Sequence, residues 1–474
     1  MNEMERKYWD PKIELMSFEE IKILQERRLR QVVEYVYLRS PFYRKKFDKV
    51  GLKPNHIKIL KDINKIPLSD KYEMRESAEF SVNEGKLPFS EFITVPEELV
   101  VTIHCTSGTT GTPFTAPLLE PEITSRGMIA TGESAARQFW AAGLRPGDII
   151  AHMWNLGGAM VGGGNHVIAK GACIPELYMT VIPCHVGNTE KVLRMMIDMN
   201  ATAICCTPSY AAYMPQVAQK MDINLKTELK IKSIITGGEP GGVSVPGLRD
   251  KLKDLWGAEI FDMYGAPGVG LSYECESREG FHTQADSTLI QVVDPETGQE
   301  LPYGELGSIV GTGLAPAAFP WLRFNTEDKG RMTEERCECG RTHPRLLSVP
   351  GRWDDVIKIK GFQLHPNAVE KVIVENQGCS GEFLIILDKD REGKDHVAIK
   401  IEHNLDVRNV KQLRDHVEHA LRVLITLKAD VEMVPEGTLD RYVMKKLRLI
   451  DNRSQDQKDK FDQASKLRSA KYFD

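Results

Sequence analysis

The chain has no uninterrupted run of the roughly 18 apolar residues that a membrane-spanning helix needs. It also lacks a basic surplus, since 62 Lys and Arg stand against 67 Asp and Glu, and this balance argues against a nucleic-acid partner. No apolar stretch follows the first charged residues, so no signal peptide is predicted. The nine cysteines are an odd number without the spacing of a disulfide framework, which favours a reducing, cytoplasmic location.

The length of 474 residues exceeds what one compact core accommodates, so two or three lobes are expected. Between residues 100 and 265, short apolar runs at 149–151, 203–206 and 231–235 alternate with helical patterns at 189–199 and 210–221. This alternation predicts an α/β fold whose large N-terminal lobe has mainly parallel sheets covered by helices. In such sheets, ligands bind beyond the carboxyl ends of the strands.

A hinge is expected at residues 350–355, and a shorter α/β pattern follows it. A helix is predicted from Pro366, strands at 383–387 and 397–401, and a second helix at 410–425. These elements predict a small mobile lobe of about 100 residues. The predicted units are an N-terminal lobe at 1–350, which contains a cysteine-bearing segment at 270–345, a C-terminal lobe at 351–453, and a charged tail at 454–474.

The most distinctive segment is 104–113, which reads His-Cys-Thr-Ser-Gly-Thr-Thr-Gly-Thr-Pro. Its glycines let the backbone approach a ligand closely, and successive N–H groups together with Ser and Thr hydroxyls surround phosphate oxygens well. It is not a Walker loop, because the GxxxxGK[ST] spacing and its lysine are absent. A polar surface loop is the alternative interpretation, and the order of the residues favours phosphate binding.

This segment resembles the phosphate-binding loop of the adenylate-forming superfamily, which includes acyl-CoA synthetases. Five further segments resemble the phenylacetate–CoA ligase family: Ser-Pro-Phe-Tyr-Arg at 40–44, Lys-Asp-Ile-Asn-Lys-Ile-Pro at 61–67, Cys-Cys-Thr-Pro-Ser-Tyr at 205–210, Gly-Gly-Glu-Pro at 237–240 and Cys-Glu-Cys-Gly-Arg-Thr-His-Pro-Arg at 337–345. The resemblance extends from Trp9 to Arg453. It implies an AMP-forming acid–thiol ligase, which adenylates a carboxylic acid with ATP and transfers the acyl group to CoA.

The resemblance also implies a nucleotide site built from glycine-rich and polar loops. The residues expected to hold the phosphates are Thr106, Ser107, Gly108, Thr109, Thr110 and Gly111. Those expected to line the adenine slot are Gly238, Glu239, Pro240, Tyr264 and Gly265. Asp328 matches the family's ribose-binding aspartate, although a turn residue is the alternative for it, and Arg352 resembles the arginine beside the nucleotide.

The C-terminal lobe is expected to supply a cation while the carboxylate attacks the α-phosphorus. The family's catalytic lysine falls on Lys445, with Lys446 as the fallback and a solvated pair of surface lysines as the structural alternative. By the same resemblance Asp354 lies at the hinge, and Gly361 lies in a loop that faces CoA after the lobe rotates.

One position departs from the superfamily pattern, in which a glutamate that holds Mg²⁺ follows the segment at Tyr264. Here the chain has Pro267 and Gly268 instead. Mg²⁺ usually keeps several waters and binds one or two carboxylates. Glu239 is the first candidate to replace the missing glutamate, and Glu274 is the second.

Three cysteines and a histidine form a set of ligands suited to zinc: Cys275, His282, Cys337 and Cys339. Three sulfur ligands and one imidazole complete a closed tetrahedral site, so its role is expected to be structural. A coincidental grouping is the alternative, and the resemblance to the ligase family favours zinc. His343 is a less favoured alternative ligand.

The residues expected to line the acid pocket are Trp154, Gly157, Gly158 and Tyr210. An aryl or arylacetic acid is expected by analogy with the family alone. Two other functions stay open: nucleotidyl transfer to another acceptor, as in the related coenzyme F420 adenylating enzymes, and a zinc-stapled nucleotide-binding protein without turnover. The implied partners are the acid, ATP, Mg²⁺, CoA and a structural Zn²⁺, and a homodimer is left open.

Overall fold

A computed structural model describes most of the chain. The ranges it describes are 6–105, 115–118, 131–154, 177–184, 188–353, 357–359, 362–364, 366–389, 395–425, 429–439 and 449–453. The α-helices in these ranges are α1 (Pro11–Glu14), α2 (Phe18–Arg39), α3 (Pro41–Lys49), α4 (Lys71–Asn83), α5 (Thr131–Ala141), α6 (Thr189–Asp198), α7 (Pro208–Lys220), α8 (Leu225–Glu228), α9 (Leu248–Trp256), α10 (Pro366–Glu375) and α11 (Val410–Ile425). Short 3₁₀ turns span Pro54–His56, Leu60–Lys65 and Glu97–Leu99.

The strands of the described ranges belong to four sheets. In chain order they are β1 (Thr102–Cys105), β2 (Thr115–Leu118), β3 (Ile149–His152), β4 (Thr180–Pro183), β5 (Ala203–Cys206), β6 (Ser233–Thr236), β7 (Glu259–Ala266), β8 (Gly270–Tyr273), β9 (Phe281–His282), β10 (Thr288–Val293), β11 (Gly307–Gly313), β12 (Phe324–Thr333), β13 (Arg345–Ser348), β14 (Ile357–Ile359), β15 (Phe362–Leu364), β16 (Cys379–Lys389), β17 (Asp395–His403), β18 (Asp430–Pro435) and β19 (Leu449–Asp451).

The largest sheet has eleven strands in the order β10-β11-β12-β13-β9-β8-β7-β6-β5-β3-β4. Strands β3 to β7 are parallel to one another, which agrees with the alternating pattern of the sequence. In the other half of the sheet, from β7 through β8, β9, β13, β12 and β11 to β10, neighbouring strands are antiparallel. Strands β8 to β13 follow the alternating pattern in the chain. The predicted α/β fold class is confirmed, but the large sheet is mixed and not mainly parallel as predicted.

The parallel strands are buried on both faces, because helices cover each side. Strands β5 and β6 have no exposed residue. On one face Ile204 and Ile234 pack with residues of α6, α7 and α9. On the other face Cys205 and Ile235 pack with residues of α5 and with Trp9. The carboxyl ends of these strands therefore lie between two helical layers.

The C-terminal unit has its own core under a four-stranded sheet of order β18-β17-β16-β19. Helices α10 and α11 contribute Val369, Val372, Ile373, Val417 and Leu421 to that core, and α11 has the bounds that the sequence predicts. The unit contacts the large lobe at α9, where Lys251 Nζ donates to the carbonyl oxygen of Ser380 at 3.2 Å. Val374 packs against the core of the large lobe.

Throughout the described ranges, the helices are too short or too polar to cross a bilayer.

Candidate active site and metal centre

The glycine-rich segment at 237–242 directly follows β6, at the carboxyl edge of the parallel strands. Gly237 N donates to the carbonyl oxygen of Cys206, the last residue of β5, at 3.2 Å. Glu239 accepts from the backbone N–H of Ser209, in the first turn of α7, at 3.3 Å. The structure thus places Gly238, Glu239 and Pro240 where parallel sheets bind ligands.

Three predicted nucleotide residues that are distant in sequence meet in one cluster. Tyr264, on β7, donates its hydroxyl to Asp328 Oδ2 at 2.6 Å. Arg352 approaches the other oxygen, Asp328 Oδ1, at 3.5 Å. Burial, followed by the nearby Asp328 carboxylate, holds the pKa of Tyr264 well above its usual range, so the phenol stays a donor. Asp328 also forms a backbone bridge with Arg352. Gly265, another predicted nucleotide residue, follows Tyr264 on β7.

Two charged residues of this cluster are missed by the sequence analysis. Glu327 Oε2 accepts from Arg352 at 3.0 Å and from Lys71, at the start of α4, at 2.5 Å. Glu327 has φ +63°, a left-handed conformation that costs a non-glycine residue about 1–2 kcal/mol. Its carbonyl oxygen also accepts from Trp353 N at 2.8 Å. Glu327 therefore contacts the chain at Arg352 and Trp353, within the predicted hinge at 350–355.

The remaining predicted catalytic and binding positions lie outside the described residues. They are Thr106, Ser107, Gly108, Thr109, Thr110, Gly111, Gly157, Gly158, Asp354, Gly361 and Lys445, with the alternative Lys446. Their assignments stay predictions.

The two described residues of the predicted acid pocket belong to different cores. Trp154 packs with α5 and the N-terminal segment, whereas Tyr210 packs on the opposite face of the sheet and bonds to Thr189 through its hydroxyl at 2.9 Å. The ring of His152 lies 5.6 Å from that of Trp154. Burial lowers the pKa of His152 to about 4, so its imidazole is neutral at pH 7. Within the described part of the chain, His152 Nε2 and Trp154 Nε1 are buried without a hydrogen-bond partner.

Gly268 lies in the turn between β7 and β8, and its φ is +74°. A Cβ at this position would lie 2.9 Å from the carbonyl oxygen of Gly311, on β11.

Glu274 is unsuited to Mg²⁺, because it is buried and its two oxygens accept from Arg249 at 2.7 and 2.9 Å. The second of the two suggested Mg²⁺ ligands is therefore contradicted, and Glu239 stays the candidate.

Cys275, His282, Cys337 and Cys339 converge, as the sequence predicts. All four are buried, and their ligand atoms lie within 4.8 Å of one another. Cys275 Sγ is 3.7 Å from Cys337 Sγ, and Cys339 Sγ is 3.4 Å from His282 Nε2. Tetrahedral zinc with bonds of about 2.0–2.3 Å holds its ligand atoms about 3.5–3.8 Å apart. The donor set and these two distances therefore fit zinc.

Both ring nitrogens of His343 already contact carbonyl oxygens, which removes this residue as an alternative ligand. Nδ1 lies 3.1 Å from Thr283 O, and Nε2 lies 2.9 Å from Ile13 O. The segment around α1 covers the cysteine turn at further points. Tyr8 donates its hydroxyl to Cys339 O at 2.7 Å, and Glu14 forms a buried ion pair with Arg341 at 2.6 Å.

Known families and proteins match nearly the whole chain. The family described as AMP-binding enzyme matches residues 24–316, and the AMP-binding enzyme C-terminal domain matches residues 361–453. The phenylacetate-coenzyme A ligase of Thermus thermophilus is 34% identical over 466 residues, which cover 93% of this chain and 98% of that protein. The Escherichia coli protein of the same name is 29% identical and covers 94% of this chain and 98% of itself.

Solved structures of 2-hydroxyisobutyryl-CoA ligase match the fold in two states. In the postadenylation state with 2-HIB-AMP, the match has a TM-score of 0.85 at 26% identity and covers 97% of this chain and 95% of that chain. In the thioesterification state with 2-HIB-AMP and CoA, the TM-score is 0.67 at the same identity and coverage. ATP-bound MatB from Rhodopseudomonas palustris matches at 16% identity with a TM-score of 0.54 over 91% of this chain and 92% of that chain, which bears on the fold alone.

Proposed function

Since this chain belongs to the AMP-binding enzymes, and within them to the phenylacetate–CoA ligase family, we propose that it joins a carboxylic acid to CoA through an acyl-adenylate. The observation that carries the proposal is the convergence of Tyr264, Asp328 and Arg352 beside the glycine-rich segment at 237–242. A half-buried carboxylate with a phenol and a guanidinium beside it suits recognition of ribose hydroxyls and nearby phosphates.

The reaction has two steps. An oxygen of the acid attacks the α-phosphorus of ATP, a C–O–P linkage forms, and pyrophosphate leaves. The CoA sulfur then attacks the acyl carbonyl, the thioester forms, and AMP leaves with the bridging oxygen. Mg²⁺ neutralises the phosphate charge when it is bound. Lys445 is proposed to stabilise the charge that develops in the first step, which is the usual role of a preorganised cation.

Asp328 is proposed to bind the ribose of the nucleotide. Tyr264 donates to one of its oxygens and Arg352 lies beside the other, so the carboxylate is held in one orientation before ATP arrives. A preorganised acceptor loses less entropy on binding than a mobile one. Glu239, at the carboxyl edge of the sheet, is the proposed protein ligand of Mg²⁺.

We propose an aryl or arylacetic acid as the substrate. Relatives named phenylacetate-coenzyme A ligase at 29–34% identity support this choice, as does the indole of Trp154 at the end of β3. The expected neighbours of Trp154 are Gly157 and Gly158, which leave space for a ring.

We also propose a cytoplasmic location. A hinge at Asp354 is proposed to separate the lobes 1–350 and 351–453. A homodimer is left open.

A screen of carboxylic acids for acid-dependent pyrophosphate release tests the proposed function. Phenylacetate and benzoate stand for the expected class, and acetate and short hydroxy acids serve as comparisons. We expect release with an aryl or arylacetic acid, and acyl-CoA after CoA is added. Release followed by an AMP adduct of another acceptor would favour nucleotidyl transfer. No release with any acid would favour the nucleotide-binding protein without turnover.

The cluster of Cys275, His282, Cys337 and Cys339 is proposed to hold one structural zinc. Its four protein ligands leave no open position for water or substrate. The cluster also lies under the segment around α1 rather than at the carboxyl edge of β3 to β6. We therefore assign it to stability and not to the chemistry of ligation.

A further inference from the structure

Asp262 is a buried acid that the reaction outlined above does not use. It lies on β7 two residues before Tyr264, so both side chains point to the same face of the strand. Its Oδ2 accepts from Val243 N at 3.0 Å, and its Oδ1 makes a short hydrogen bond with Thr236 Oγ1. Thr236 and Val243 are the residues on either side of the segment 237–242, so one carboxyl group joins both ends of that segment.

The glycine-rich segment rests directly on this carboxyl group. A Cβ on Gly241 would lie 1.9 Å from Asp262 Oδ1, and one on Gly242 would lie 2.9 Å from Arg249 Cβ. A side chain at Gly241 would push the segment away from β7, and one at Gly242 would push it away from α9. Its conformation is therefore matched to the Asp262 carboxyl group beneath it.

Asp262 is itself held by a second layer of contacts. Its backbone N–H donates to Glu274 Oε2 at 2.7 Å, and Arg249 pairs with both oxygens of Glu274. Arg249 also donates to Ile260 O at 2.7 Å. These bonds join β7, the end of β8 and α9 into one support for the segment.

The network accommodates either protonation state of Asp262. Burial, followed by the charge of Glu274, raises the pKa of Asp262 to about 7. Thr236 Oγ1 also lies 3.2 Å from Phe261 O. The Thr236 hydroxyl can therefore donate to an ionised Asp262, or donate to Phe261 O while it accepts from a protonated one.

We propose that Asp262 is a positioning residue for the nucleotide, which fixes the segment 237–242 in the conformation that receives adenine. The inference rests on the proposed nucleotide site. Asp262 then raises the affinity for ATP through the segment, without contacting ATP itself. Tyr264 lies two residues further along β7, so the strand that carries Asp262 also carries the tyrosine of the proposed nucleotide site.

Calorimetric titration with ATP in the absence of acid tests this role, in wild type, Asp262→Ala, Asp262→Asn and Ser233→Ala. Loss of the buried acceptor in Asp262→Ala is expected to weaken ATP binding about tenfold or more. Asp262→Asn keeps an acceptor for Val243 N, so its Kd is expected to stay within about threefold of wild type. Ser233→Ala is the matched control, because it removes a buried bond to Ala142 O at the other end of β6.

A purely structural role predicts a different result. In that case Asp262→Ala and Ser233→Ala would both lower the melting temperature, and the Kd for ATP would stay unchanged. That outcome, or equal weakening by Asp262→Asn and Asp262→Ala, would overturn the inference. If Asp262→Ala does not fold, Thr236→Val removes the hydroxyl at similar volume, and an unchanged Kd in this variant would overturn it as well. A wild-type protein that does not bind ATP would instead overturn the proposed nucleotide site itself.

Discussion

Gly268 occupies a turn that combines two constraints. Its φ of +74° is strained for any residue with a side chain, and a Cβ there would lie only 2.9 Å from the carbonyl oxygen of Gly311. The magnesium-binding glutamate of the superfamily therefore has no place at this position. A return to glutamate at 268 is expected to damage the fold rather than to restore a metal ligand.

Gly268→Ala is expected to destabilise the protein by roughly 2–4 kcal/mol, because backbone strain and a steric clash add. Gly304→Ala is the matched control: Gly304 has φ +89°, but a Cβ there meets nothing within 4 Å. Strain alone is expected to cost the control about 1 kcal/mol. Denaturant unfolding measures both variants, and equal losses of stability would contradict the clash.

The sequence does not reveal residues of the site that lie outside a recognisable motif. Asp328, Tyr264 and Arg352 are found through the motifs around them. Glu327 and Lys71 carry no such signal, since a charged residue in a loop or at the start of a helix is usually solvated. Their roles follow only from the contact that the folded chain creates between them.

At the scale of elements, the segment around α1 and the turn at 337–343 form one unit. Tyr8 bonds to the carbonyl oxygen of Cys339, Glu14 pairs with Arg341, and Ile13 O contacts His343. Both members of the Glu14–Arg341 pair are buried, and loss of one partner would leave an uncompensated charge. Zinc bound to Cys337 and Cys339 is therefore also expected to stabilise the contacts between the segment around α1 and the turn at 337–343.

Cys337→Ser is expected to lose stoichiometric zinc and to lower the melting temperature, because metal binding is coupled to folding. The segment around α1 is expected to lose hydrogen-exchange protection in the same variant. Cys379→Ser serves as the control, since Cys379 is a buried thiol in the C-terminal unit, outside the cluster. Purified wild-type protein without zinc, or an unchanged melting temperature in Cys337→Ser, would contradict the structural metal.

Elements with a regular apolar period are predicted well from this sequence. Strand β5 and helix α11 have the predicted bounds, and β3, β6, α6 and α7 are found within a few residues. The antiparallel half of the large sheet is harder to predict. Strand β9 has only two residues, and strands β12 and β13 pair with a register shift, so no period marks them. Their pairing depends on contacts between distant parts of the chain.

For the whole molecule, the described residues of the two units contact one another at α9. Val374 packs on the large lobe and Lys251 donates to Ser380 O. The structure matches the postadenylation state of 2-hydroxyisobutyryl-CoA ligase better than its thioesterification state, with TM-scores of 0.85 and 0.67. Movement of the C-terminal lobe between the two steps stays a prediction.

Lys445→Ala is expected to slow acid-dependent pyrophosphate release by about 10²–10³-fold, because one preorganised cation is lost. Thioester formation from supplied acyl-adenylate is expected to continue at a similar rate, since the lysine is proposed to face the site in only one of the two lobe orientations. Lys446→Ala is the matched control. A large loss of pyrophosphate release in Lys446→Ala and a small one in Lys445→Ala would shift the assignment by one residue.

Oxygen tracing shows whether the acid attacks the α-phosphorus of ATP. An active acid from the screen is labelled with ¹⁸O in its carboxylate and incubated with ATP, Mg²⁺, CoA and enzyme, and AMP is analysed by mass spectrometry. We expect AMP that carries one ¹⁸O, because the bridging oxygen of the acyl-adenylate comes from the acid. Acyl-CoA formed together with unlabelled AMP would contradict it.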